Sequence, residues 1–146
     1  MRKIALLFSL VALSASASAQ FRPSGGRPPA VPVLTGIDAL RAEFGIQSGG
    51  TTVYFGANSS QLGAPAIAVL QAQAAWLRRH PEIVVRIEGH GDAIDTRDHA
   101  LAVGARRAQE VRNYLVLLGV PAAQLSATSF GKERPGAGRA VTVLVR

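Results

Sequence analysis

Arg86-Ile87-Glu88-Gly89-His90-Gly91-Asp92 is the stretch that decides the fold. Ile83 to Ile87 is a β-branched apolar run, and the residues after it become small, polar and acidic. The pattern predicts a buried strand that ends in an acidic turn. Downstream, Thr96 or Asp95 is placed to cap a helix, and Asp98 falls in its first turn, where a carboxylate favours the macrodipole. The apolar stripe of that helix reads Leu101, Ala105, Ala108, Val111, Leu115 and Leu118. Gly119 supplies a left-handed stop, with Pro121 just beyond. Gln124 to Phe130 reads as a third strand and Ala140 to Val145 as a fourth, joined through residues 131–138.

Upstream, Thr51 to Phe55 is β-branched and aromatic and reads as the first strand. Gly56 to Gly63 is a loop. Pro65 suits the first turn of a helix, and Ile67, Leu70, Ala74 and Leu77 recur at helical spacing until His80-Pro81 ends it. The order β-α-β-α-β-β predicts a two-layer α/β (α+β) sandwich with a four-stranded sheet. The two helices are long enough to cross between parallel strands, and the short last link sets the fourth strand antiparallel to the third.

The chain opens with Arg2-Lys3, an apolar run from Ile4 to Leu13, and Ala17-Ser18-Ala19, which together predict a signal peptide over residues 1–19. The expected location is therefore the periplasm. Residues 20–47 read as a Pro/Gly-rich linker, with one possible short helix on Ile37, Leu40, Arg41 and Phe44. The folded domain is expected over residues 48–146, starting near Thr51. There is no cysteine, so no disulfide, thiolate metal site, thiol nucleophile or thioether-linked lipid anchor is expected. Sixteen basic residues, two of them in the signal segment, against nine acidic ones leave a side-chain charge of +5. The arginines are dispersed, without a basic run interleaved with aromatics, which argues against nucleic acid. An acidic envelope polymer, or solubility, accounts better for the charge.

Asp92 at a strand end and Arg107 on the following helix could present opposite charges to one zwitterion bearing an ammonium and a carboxylate on the same carbon. Arg107 is flanked on its helix by Ala100, Val103, Gly104 and Val111, so its guanidinium gains from a bidentate carboxylate. The residues equally allow Arg107 to pair with Asp92 or Glu110 and hold the strand–helix junction. His90, Asp92, Asp95, Asp98 and His99 form a His/Asp cluster, but the spacing fits neither a zinc-protease helix nor a calcium loop. His90 reads as a hydrogen-bonded structural histidine and His99 as a solvated helix residue. Ser126 and Ser129 fall on a strand, not on a nucleophile turn, and Trp76 reads as core or partly covered surface. Neither an enzyme nor a cofactor is expected.

Val53-Tyr54-Phe55, Ala75-Trp76-Leu77-Arg78, Ile87-Glu88-Gly89-His90-Gly91-Asp92, Arg106-Arg107-Ala108 and Ser129-Phe130-Gly131-Lys132-Glu133-Arg134-Pro135 together resemble the OmpA C-terminal (OmpA/MotB-like) domain family. Its peptidoglycan-associated lipoprotein branch is the nearest in pattern. The resemblance covers residues 48–146 and implies a mixed four-stranded sheet and non-catalytic binding of the peptide stem of peptidoglycan. Asp92 would meet the free amine of diaminopimelate and Arg107 its carboxylate. Arg139 matches the last residue of the family's Asn-Arg-Arg motif, which here reads Ala137-Gly138-Arg139. The chain departs from the family at Gly56, Asp95, His99 and Ala100, and about ten residues before that motif are absent. These departures imply a weakened pocket. They leave open a second reading, an envelope protein-interaction or assembly factor that keeps the fold without the ligand. Peptidoglycan, and envelope or outer-membrane proteins, are the partners this resemblance implies.

Overall fold

The computed structural model describes residues 36–146. The expected signal peptide and the proline-rich part of the expected linker lie outside the described residues. The elements run α1 (Ile37–Gln47), β1 (Thr52–Tyr54), α2 (Ala64–Arg79), β2 (Val85–His90), α3 (Arg97–Leu117), a short 3-10 turn (Ala122–Gln124), β3 (Leu125–Gly131) and β4 (Arg139–Leu144). The sheet order is β1-β4-β2-β3. β2 and β3 pair in parallel, with α3 as the crossover, while β4 lies between β1 and β2 and is antiparallel to both. The fourth strand thus opposes the third in direction, as the short link requires, yet it pairs with β2 and not with β3. Order within the sheet depends on long-range contacts that chain order does not encode.

Alternation along the strands assigns the faces. Val53, Val85, Ile87, Leu125, Ala140 and Leu144 are buried and join Leu70, Trp76, Leu77, Val111 and Leu115 of the helices in one core. The opposite face of the sheet carries Tyr54, which is largely exposed, and the Arg86 and Glu88 side chains.

Three expectations change. Helix α1 belongs to the packed body and not to a linker: Phe44 is fully buried, edge-on to Trp76, and Arg41 donates to the Leu144 carbonyl. Its single large core side chain gave too little periodic signal to extend the domain back from Thr51. β2 runs through to His90, three residues past the expected end at Ile87, because Glu88, Gly89 and His90 find ladder partners on β3. The buried seam of α3 is Ala100, Val103, Gly104, Arg107, Ala108, Val111 and Leu115. Leu101 and Ala105, expected in the stripe, face outward.

The physical reason for that rotation is close approach. A Cβ on Gly89 would overlap the Gly104 carbonyl, and one on Gly104 would press on Ser129 Oγ. Helix and strand meet backbone to backbone at this pair of glycines, which selects the small-residue face of α3 over its bulkier one. Arg107, one turn further along the same face, is thereby driven toward the end of β2. The helix stops as expected: Gly119 has φ +91°, Gly119 N–H donates to Val116 O and Val120 N–H to Leu115 O, the paired bonds of a Schellman cap. At its start, the Thr96 hydroxyl accepts from His99 N–H.

Candidate ligand-binding site

The site lies where β2 ends, beneath the loop from β1 to α2. Arg107 is fully buried. Its Nη1 donates to the His90 carbonyl at 2.8 Å and to Asp92 Oδ1 at 3.0 Å, its Nε donates to Ser59 O at 2.8 Å, and its Nη2 donates to Gly56 O at 2.9 Å. Four of the five guanidinium N–H groups are thus committed, three of them to main-chain carbonyls. A buried cation is tolerable only when so paired. The Phe55 ring sits 5.5 Å from the guanidinium carbon.

Asp92 is the accessible member of the pair, its side chain 17% exposed against 0% for Arg107. The Asn58 N–H donates to its Oδ2 at 2.6 Å. That bond, with Arg107 on the other oxygen, holds the Asp92 carboxyl below its ordinary range even though partial burial pushes the other way. Asn58 can present its N–H because it adopts φ +49°, a left-handed conformation that Asn tolerates better than most residues. Its side chain is pinned by His99, whose Nε2 lies 2.9 Å from Asn58 Oδ1 and 3.7 Å from Asp95 Oδ2. His99 is therefore part of a polar rim, not merely solvated as expected. Gly138 is the neighbour on the other side of Asp92: a Cβ there would stand 3.7 Å from Oδ1, so the absence of a side chain leaves the partly exposed carboxylate uncovered by this residue.

Asp92 and Arg107, paired from sequence, are brought together. Arg139 is not joined to either by any hydrogen bond or ion pair. Its Nη2 donates to Pro135 O within the β3–β4 loop, and its Nε has no partner. His90 also departs from expectation. Its ring stacks on Phe130, but Nδ1 is buried without a hydrogen bond. Burial, reinforced by Arg139, lowers its pKa and keeps the ring neutral. Sequence reasoning missed Asn58 and the carbonyls of Gly56 and Ser59. Main-chain acceptors leave no trace in side-chain identity, although an Asn within a Gly/Ser loop is a hint of left-handed backbone.

A strand end, a crossover helix supplying a buried arginine, and a partly exposed carboxylate held ionised together make up the candidate site. The chain belongs to the OmpA family, whose model matches residues 54–143. It is 43% identical over 86 residues to the peptidoglycan-associated lipoprotein of Agrobacterium fabrum, covering 59% of this chain and 49% of that one. It is 47% identical over 85 residues to the protein of the same name from Pseudomonas aeruginosa, covering 58% and 50%. The chain thus spans about half the length of the curated relatives it matches. The crystal structure of the peptidoglycan-associated lipoprotein from Burkholderia pseudomallei superposes with a TM-score of 0.64 at 36% identity, over 66% of this chain and 92% of that one. The C-terminal domain of Helicobacter pylori MotB shares the fold at a TM-score of 0.60 and 20% identity, over 65% and 84%.

Proposed function

We propose that this chain is a non-catalytic periplasmic module that binds the diaminopimelate-type stem peptide of peptidoglycan. The observation that carries the proposal is the Asp92 carboxylate, kept ionised by Asn58 and Arg107 and partly exposed while its arginine partner is buried. An ammonium group would meet Asp92 there. Arg107 acts mainly as a positioning residue, because three carbonyls surround it. Its one uncommitted N–H, on Nη2, is buried with the rest of the side chain and would reach a ligand carboxylate only if the loop carrying Gly56 and Ser59 moved aside. Arg139 contributes positive charge on the ligand side, behind the β3–β4 loop. The names of the relatives at 43% and 47% identity support peptidoglycan as the polymer.

The site is weak by this reading. Gly56, Ala100 and Gly138 stand where the family pattern has polar side chains. Three missing hydrogen bonds at about 0.5–1.5 kcal/mol each correspond to a loss of roughly a hundredfold in affinity. Co-sedimentation of the full chain with purified sacculi tests the proposal, with free diaminopimelate as competitor. Retention on the sacculi that diaminopimelate abolishes is expected. A chain that stays in the supernatant at low salt, where charge interactions are strongest, would overturn it.

One observation favours the second reading, a protein-interaction or assembly factor. The guanidinium is closed over by the protein's own carbonyls, while the outer sheet face exposes Tyr54 and Val145. That reading predicts no sacculus retention and a specific cross-linked envelope partner that a Tyr54→Ser variant fails to capture.

A further inference from the structure

Between the β2–α3 turn and the β3–β4 loop lies a cavity of about 370 Å³, walled by Gly91 and Ala93 on one side and by residues 132–137 on the other. Its lining charges are Lys132, Arg134 and Glu133. Glu133 is tied to Arg97 at 2.7 Å, which offsets its charge. Lys132 Nζ donates to the Asp95 carbonyl at 2.6 Å, leaving two of its N–H groups uncommitted. Arg134 gives Nη1 to Glu88 and lays its guanidinium over the Phe130 ring at 3.7 Å. A third cation stands directly behind the wall. Gly136 has φ +114° and no side chain, and the Arg139 guanidinium occupies the place a Cβ there would take. The Nε of that guanidinium is without a partner. Arg134 and Arg86 share the single Glu88 carboxylate, so the side chains in and behind the cavity wall carry a net positive charge.

It also adjoins the site already described. Gly91 and Ala93, which flank Asp92 in the chain, both line it, and Gly138 N–H donates to Gly91 O. A ligand whose ammonium rests on Asp92 therefore has this cavity beside it, with Lys132 on its wall.

We propose that this cavity is a second subsite, resting on the stem-peptide reading above, that takes another carboxylate of the same peptide. The candidate is the free α-carboxylate of the γ-linked D-glutamate that precedes diaminopimelate. Lys132 supplies the direct contact, with Arg134 and Arg139 as the surrounding positive field. An amide at that position keeps the shape and loses the charge, so the subsite would distinguish the free acid from the amidated stem. Charge-assisted hydrogen bonds are about twice as strong as neutral ones, and a discrimination of about tenfold is expected.

The test is calorimetric titration of the full chain with L-Ala-γ-D-Glu-meso-diaminopimelate, bearing either a free or an amidated glutamate α-carboxyl. Wild type should prefer the free acid by about tenfold. Lys132→Gln should reduce that preference to about threefold or less by weakening the free acid more than the amide, and Lys132→Glu should invert it. Equal binding of the two peptides by wild type would overturn the subsite, as would a Lys132→Gln variant that keeps the preference or weakens both peptides alike. Asp92→Asn separates the two readings, because it should weaken both peptides together. If it weakens neither, the Asp92 contact fails while the acid preference still decides the subsite. If wild type binds neither peptide, both readings fall.

Discussion

Two carboxylate–arginine assemblies stand four residues apart, one on β2 and one just past its end, and they are built inside out relative to each other. At Asp92 the cation is buried and the anion faces water: Arg107 is inaccessible and Asp92 partly open. At Glu88 the anion is buried and the cations face water. Glu88 is 8% exposed, gripped at Oε1 by Arg86 Nε and Nη2 and at Oε2 by Arg134, whose side chains are 39% and 51% exposed. The first assembly turns a negative charge toward solvent, and the second turns positive charge outward and hides its carboxylate. Their supports differ too. Arg107 is fastened by main-chain carbonyls from the β1–α2 loop and the end of β2, whereas Glu88 depends on two long side chains with large rotamer entropy. The contrast teaches that two ion pairs made from the same residue types leave opposite charges accessible, according to which partner is buried.

The comparison can be broken most forcefully at Arg107. Arg107→Ala would leave the Gly56, Ser59 and His90 carbonyls and Asp92 without their shared donor, and a loss of about 3–5 kcal/mol is expected, read as a lower urea midpoint. A variant that keeps its midpoint would show that the buried guanidinium is not the fastener described. Gly89→Ala attacks the geometry that delivers Arg107, since its methyl would run into the Gly104 carbonyl. Overpacking of this kind costs about 1–3 kcal/mol or more. The thermal midpoint should fall, and the amide signals of Asp92 and Asn58 should shift with it; shifts confined to residue 89 would contradict the coupling.

Glu88→Gln sharpens the contrast from the other side. The guanidinium groups it releases can hydrate, so the expected cost is smaller, about 1–2 kcal/mol, and sacculus retention should be unchanged. Equal loss of retention in Glu88→Gln and in a site variant would erase the distinction between the two assemblies.

The smallest effect is in pH. The Asp92 carboxyl is held below its usual value of 3.8, so its contribution to stability is complete above that value and is lost as pH falls through the lower, folded-state value. Asp92→Asn should flatten the stability profile there. His90 acts in a separate window: with its pKa lowered from 6.5, the unfolded chain binds the proton first. Stability therefore declines as pH drops below 6.5, and His90→Gln should remove that slope. Unchanged slopes in either variant would contradict the assigned environments.

Much of this was legible beforehand, for stated reasons. The strand–helix alternation followed from periodicity, and the Asp92–Arg107 pair from two charges placed around one strand–turn–helix unit. The seam of α3 was misjudged because hydrophobicity favours Leu101, while steric contact at Gly89 and Gly104 favours the small-residue face. Helix α1 reads as part of a linker because Phe44 is its one fully buried side chain, while Ile37, Leu40 and Arg41 dock only at the core's margin. The loop carbonyls that close over Arg107 were invisible because every residue carries one. Arg139 was grouped with the pair from its motif, yet its guanidinium turns into the β3–β4 loop.

The most direct test of the central claim uses Asp92→Asn, which keeps the size and much of the hydrogen bonding of the side chain while removing its charge. The measurement is equilibrium binding of wild type and variant to purified sacculi, alongside their urea midpoints. The account predicts at least a tenfold weakening, the loss of a charge-assisted contact, in a variant that remains folded. Equal affinity in a folded variant would contradict it.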